Sequence, residues 1–327
     1  MYLINIDLIQ EGDIILYRSS LDISKLVRKI TKSQYSHAIL YVGVGSIIDS
    51  DGYGVQSNNI QRLLIEKPDD IIILRLKDKS LYNKLELVEM FARRNIGMQY
   101  STSEAKIAAL NKEVEAKEPN RQFCTRFIAQ AYESAGINLV ENANYCVPEE
   151  ILESPLLFTI ENPTREASQK EIDYAKSESP LVKQYEIHNI ILNRAREISG
   201  KDIQTLEQIT ELIVDHPEYD DEITEFIQNT EYLYMMEKDK EDNSWRYNAE
   251  EMLEFFDNPE SAIANAMFYA TTESKTRERL YQTISAYKML NRVSPRKYFE
   301  MEIELYQRLI QFSNLRETES IKVLKGR

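Results

Sequence analysis

Two residues carry the chemistry this sequence could perform: Cys124, in Gln122-Phe123-Cys124-Thr125-Arg126, and His37, in Tyr35-Ser36-His37-Ala38. Cys124 opens a segment whose apolar residues Phe127, Ile128, Ala131 and Tyr132 recur at helical spacing, and Gly136 supplies a stop. A thiol in the first turn of a helix sits at the positive end of the macrodipole, where the thiolate is favoured. The thiolate is the useful nucleophile, and it needs a base beside it. A cysteine and a histidine far apart in sequence are how a thiol hydrolase looks before folding. The alternative for Cys124 is a buried, inert thiol.

The remaining candidates read as structural. Histidine occurs only at positions 37, 188 and 216. His188 lies on the apolar stripe of a helical pattern, where a satisfied core histidine is the expectation. His216 precedes Pro217 at a helix end and reads as a cap. Cys146 has neither a helix start nor a base near it in sequence, and Arg126 points away from the Cys124 side of its helix. No His/Cys/Asp/Glu cluster has metal-ligand spacing and no Gly-rich phosphate loop is present, so neither a metal nor a cofactor is expected.

The elements that must position the pair follow from local pattern. Gly12 to Tyr17 reads as a buried strand, His37 to Val42 as a second, and Ser46 to Ser50 as a third, with Gly43-Val44-Gly45 turning between the last two. If that hairpin has a three-residue loop, residues of like parity pair and His37 shares a face with Asp49. A two-residue loop sends them to opposite faces. Asp51 to Val55 reads as a turn, Asn58 to Lys67 as a short helix and Asp70 to Leu76 as the clearest strand. Ser80 to Asn95 is an amphipathic helix with Ser80 as its cap, ended by Gly97-Met98-Gln99-Tyr100. Ser20 to Lys32 has helical spacing. Ser103 to Lys117 reads as a helical excursion or a surface loop.

Length and composition frame these segments. The 327 residues suffice for two domains, and 43% hydrophobic content implies a globular fold rather than disorder. Residues 1–160 carry a net charge of −3 and residues 161–327 a net of −11, so a nucleic acid is an unfavourable partner for either half. Two cysteines form no disulfide framework and fit a reducing compartment. No apolar run approaches the ~20 residues that span a bilayer. Met1 to Gln10 has no basic start and no small-residue cleavage site, which predicts a cytoplasmic protein or one exported without a cleavable signal peptide.

From about residue 161 the strand signals vanish. Helical patterns start at Ser179-Pro180 and continue over Ile203–Val214, Asp220–Glu237, Asn248–Phe256, Glu260–Thr271, Lys275–Leu290 and Arg296–Phe312. Residues 161–312 therefore read as an all-α domain, and Ser313 to Arg327 as a weakly ordered tail.

Taken in order, Gly12-Asp13-Ile14, Ser36-His37-Ala38 running into Tyr41-Val42-Gly43, Ile48-Asp49, Gly97-x-x-Tyr100 and Phe123-Cys124-Thr125 form a recognisable series. It resembles the circularly permuted NlpC-type papain-like cysteine hydrolases, a branch that includes YiiX-like bacterial proteins and the lecithin–retinol acyltransferase group. In this branch the histidine strand precedes the cysteine. The resemblance covers about residues 10–157. It implies an α+β fold: a permuted papain-like domain with an antiparallel sheet over residues 1–160, followed by the all-α helical domain.

The resemblance also implies roles. Cys124 matches the nucleophile, His37 the base, and Asp49 the third polar residue that orients the imidazole, a position more often Glu in YiiX-like members. Tyr100 matches the tyrosine that lines the site near the acyl oxygen, and Thr125 stands where Ser is common. The implied function is a cysteine hydrolase cleaving an amide, a peptide or isopeptide with cell-wall peptides among the candidates, through an acyl-enzyme. The same dyad would serve an acyltransferase or an ester or lipid hydrolase. An inactive binding module, with the helical half as a surface for a protein partner or for self-association, is the reading from a different class.

Overall fold

A computed structural model describes residues 1–18, 28–29, 31–110, 118, 120–256 and 258–326. The chain divides into two compact units, Met1–Tyr185 and Glu186–Arg327.

The first unit is built on β1 (Tyr2–Ile4), β2 (Ile14–Tyr17), β3 (His37–Tyr41), β4 (Ser46–Asp51), β5 (Gly54–Asn59), β6 (Ile71–Leu76), β7 (Leu157–Ile160) and β8 (Thr164–Glu166). Six of these form one antiparallel sheet in the order β5-β4-β3-β2-β6-β7, and β1 pairs with β8 in a separate ribbon. Both faces of the large sheet are covered. Ile14, Leu16, Ala38, Leu40, Ile48 and Leu74 share a core with Phe127, Ile128 and Tyr132 of the Cys124–Ser134 helix. Ile15, Ile39, Tyr41, Ile47, Ile71 and Ile73 form a second core with Ile4, Ile60 and Ile65. Burial on both sides is why β2 and β6 read as continuous apolar runs rather than as alternation.

Four residues separate β3 from β4, and the Val42 amide on the Ser46 carbonyl (3.0 Å) extends the pairing so that the turn itself has three. Gly43, Val44 and Gly45 all adopt positive φ, at 84°, 54° and 72°. The resulting register sets Ile39 opposite Asp49 and Leu40 opposite Ile48, so residues of like parity share a face. Downstream, the Cys124–Ser134 helix closes with the Gly136 amide on the Glu133 carbonyl (2.8 Å) and the Ile137 amide on the Tyr132 carbonyl (3.0 Å). Gly136, at φ 71°, makes that reversal possible without a Cβ penalty. The stop expected at Gly136 is thus a hydrogen-bonded cap.

Several elements differ from expectation. The helix expected over Asn58 to Lys67 is absent: Gly54–Asn59 pairs along the whole of β4, and only Ile60–Arg62 makes a 3-10 turn. Ser80 is not a cap. Asp78 accepts its amide at 2.8 Å and opens a 3-10 turn over Lys79–Lys84, and the α-helix runs over Leu85–Arg94. Strand structure persists past residue 161, since β8 finds a partner in β1 at the other end of the unit. The compact unit that carries the sheet runs on to Tyr185. The segment Ser20 to Lys32 lies mostly outside the described residues. Of Ser103 to Lys117, the part through Ala109 belongs to a helix, Thr102–Ala109, and residues 111–117 lie outside them.

The second unit is helical, with Ile191, Leu192, Ile209, Ile213, Ile227, Tyr298 and Phe299 in its main core. The helices expected over Glu260–Thr271 and Lys275–Leu290 are one 35-residue helix, Pro259–Val293. The expected tail is a further correction. Lys297–Lys325 is a single helix, because Arg316 pairs with Glu273 and Arg277 with Glu317, and Ser313, Ser320 and Val323 are buried.

Candidate active site

His37 is the first residue of β3, and Asp49 lies on β4 opposite Ile39, two residues further along. The three-residue turn gives them a common face, and their side chains meet: Nε2 of His37 is 2.6 Å from Oδ2 of Asp49. The other carboxylate oxygen, Oδ1, accepts from the Asn58 amide of β5 at 3.3 Å. A carboxylate only accepts, so His37 donates from Nε2, and Nδ1 is the nitrogen left to exchange a proton. A hydrogen bond with the Cys124 thiol is among the causes that raise the pKa of the ring.

Burial of His37 works against its charged form, but the hydrogen bonds to Asp49 and Cys124 and the charges of both outweigh it. The imidazole pKa ends well above the ordinary histidine value. Cys124 is the first residue of its helix and 9% exposed, following Phe123 in extended backbone. Its position places the sulfur where free amides of the first turn converge.

Tyr100 reaches the same place by another route. Its segment runs beside the approach to Cys124, with the Gln122 amide on the Gln99 carbonyl (2.9 Å) and the Ser101 amide on the Gln122 carbonyl (2.8 Å). Burial, then the nearby charges of Cys124 and Asp51, raise the phenol pKa, so the hydroxyl stays a donor. Asp51 is also pushed up, first by burial and then by Asp49, with the Tyr53 amide and then His37 opposing.

Four residues named from the sequence, His37, Asp49, Tyr100 and Cys124, therefore converge. The other named residues have different partners. His188 packs against the Tyr232 ring (5.9 Å), and burial pushes its pKa down to about 4. His216 ends the Leu206–Asp215 helix, its amide on the Leu212 carbonyl at 2.8 Å. Cys146 is fully buried, burial raises its thiol pKa, and its carbonyl accepts from Thr125 Oγ1 at 2.6 Å. Arg126 is buried in an ion pair with Glu104. Asn58 is the residue sequence reasoning misses, because its segment reads as a helix. Among the described residues, no group of three or more His, Cys, Asp or Glu is placed to hold a metal ion, and no helix is long and apolar enough to cross a membrane.

A thiol, an imidazole and a carboxylate in this order can generate a nucleophile and deliver a proton to a leaving group. Residues 8–146 match a family described as permuted papain-like amidase enzyme, YaeF/YiiX, C92 family. The resemblance read from the His37-to-Cys124 series is shown over that stretch, and the fold is a permuted papain-like domain with a helical C-terminal region. At a coarse level the match supports a cysteine hydrolase. Among solved structures, the crystal structure described as metalloprotein yiiX from Escherichia coli O157:H7, DUF1105, is similar with a TM-score of 0.39 and 17% identity. The similarity covers 47% of this chain and 98% of that one. No curated protein matches the chain.

Proposed function

We propose that the first unit hydrolyses an amide, a peptide or isopeptide bond, through an acyl-enzyme on Cys124. His37 takes the thiol proton at Nδ1 and returns it to the departing amine, and Asp49 holds the ring and stabilises its cation. The oxyanion is met by the backbone amide of Cys124 and by the Tyr100 hydroxyl. Water then attacks the thioester, with His37 again as base. The observation that supports this reading most is the His37 ring held between the Asp49 carboxylate and the Cys124 thiol.

A screen of muropeptides, isopeptides and acyl esters against the wild type, Cys124→Ser and His37→Ala tests it. Amide turnover by the wild type alone is expected. Full activity in either variant overturns the mechanism, and turnover of acyl esters with no amide cleaved replaces the amidase with an esterase or acyltransferase.

A further inference from the structure

Arg126 follows Cys124 by two residues, yet it is 1% exposed. Its guanidinium is shared among several acceptors. Nη2 donates to Oε2 of Glu104 at 2.7 Å, Nε to the Asn144 carbonyl at 2.8 Å, and Nη1 to the carbonyls of Arg121 (3.3 Å) and Glu118 (3.4 Å). It lies over the rings of Phe123 (4.8 Å) and Tyr145 (5.1 Å), and the Tyr145 hydroxyl donates to the same Glu104 oxygen.

Glu104 is 0% exposed and belongs to the Thr102–Ala109 helix, whose cap, Ser101, follows Tyr100 and accepts the Glu104 amide on its Oγ at 3.0 Å. One ion pair thus clasps the Tyr100 segment to the turn that carries Cys124. A buried pair of this kind is weak evidence for stability, because the desolvation cost of both ions offsets their attraction. Its geometry, however, is specific: an ammonium could not span a carboxylate and three carbonyls in one plane.

We infer that Arg126, through Glu104, is a positioning residue that holds the Tyr100 hydroxyl in register with the Cys124 thiol for acyl transfer. The inference rests on the acyl-enzyme reading above. A clasp of this kind acts on the oxyanion-forming step and leaves the intrinsic reactivity of the sulfur alone.

The probe is p-nitrophenyl acetate. The thiolate attacks the ester carbonyl, the carbon–sulfur bond forms, nitrophenolate leaves, and acetyl-Cys124 is detected by mass. Arg126→Met with Glu104→Met removes both charges together and so leaves no unpaired ion to unfold the unit. This pair of changes is expected to slow acetylation about tenfold or more, since small misplacements at a reacting centre cost that much. Alkylation of Cys124 by iodoacetamide, which forms no oxyanion, is expected to change less than about twofold. In a Tyr100→Phe background the same pair should cost acetylation less than about twofold. Arg126→Lys should behave like the pair.

Equal loss in both backgrounds, or parallel loss of alkylation, overturns the inference and makes the clasp purely architectural. Unchanged acetylation also overturns it while the acyl-enzyme reading stands. A wild type acetylated no faster than Cys124→Ser overturns that reading, and this inference with it.

Discussion

Nε2 of His37 lies 2.6 Å from Oδ2 of Asp49, and this contact decides which ring nitrogen faces the sulfur. With Nε2–H donated to the carboxylate, Nδ1 is the basic nitrogen. Replacing Asp49 by Asn keeps the size of the partner but lets the amide donate, which favours the wrong tautomer. Asp49→Asn should lower kcat/KM by about a hundredfold or more, with KM changed little, measured on whichever amide the wild type cleaves. The same change has a pH signature. The His37 pKa is raised in the folded protein, so the stabilisation it carries is complete below the unfolded value of about 6.5 and is lost as pH rises through the folded pKa. Denaturant titrations should therefore show the cost of Asp49→Asn to be largest in mildly acidic buffer and smaller above neutrality. A cost independent of pH counts against an imidazolium partnered by Asp49.

Asn58 reaches Asp49 from the neighbouring strand, its amide 3.3 Å from Oδ1. Asn58→Ala removes one of the two hydrogen bonds that fix the carboxylate and leaves that oxygen half-buried without its donor, a change on the order of 1 kcal/mol. The expected result is a kcat lowered about fivefold with a melting midpoint lowered by no more than a few degrees. Wild-type kcat in this variant would show that β3 and β4 alone hold Asp49.

How much of the site is legible in the sequence depends on the kind of signal each residue carries. Cys124 and His37 sit in apolar segments whose period declares a helix and a strand, so their elements can be read directly. The pairing of His37 with Asp49 hinges on one extra residue in the Gly43–Gly45 turn, which pattern alone leaves open. Asn58 is read as the start of a helix, because Gln56, Ser57, Asn58 and Asn59 form a polar edge strand with no apolar alternation to mark it. Helical spacing does turn Arg126 away from the thiol, as the structure has it. Its acceptors come from positions 104, 118, 121 and 144, a set that only folding assembles. In the second unit the helical character is plain from the sequence. The extension through Lys325 rests on ion pairs to a partner helix more than 30 positions earlier, which no local window contains.

That second unit buries an acid group among tyrosines. Glu302 is 2% exposed, and burial pushes its pKa up to about 8, with a hydrogen bond from Tyr232 opposing. Tyr298, Tyr287 and Tyr306 face it as well, and each has its own pKa raised, burial first and the Glu302 charge among the further causes. A folded pKa above the unfolded one means that the native state holds a proton the unfolded chain has released. Stability is then greatest below about pH 4.5 on this account and falls as pH rises towards about 8, with a slope of up to ~1.4 kcal/mol per unit. Glu302→Gln keeps the shape and the hydrogen-bonding capacity towards Tyr232 but cannot ionise. Its stability, followed by denaturant titration across about pH 5 to 9, should match the wild type at the acid end and exceed it increasingly towards the alkaline end, as proton linkage requires of a raised carboxyl. Parallel curves would mean that Glu302 titrates as an ordinary carboxylate and that the tyrosine-lined core tolerates its charge.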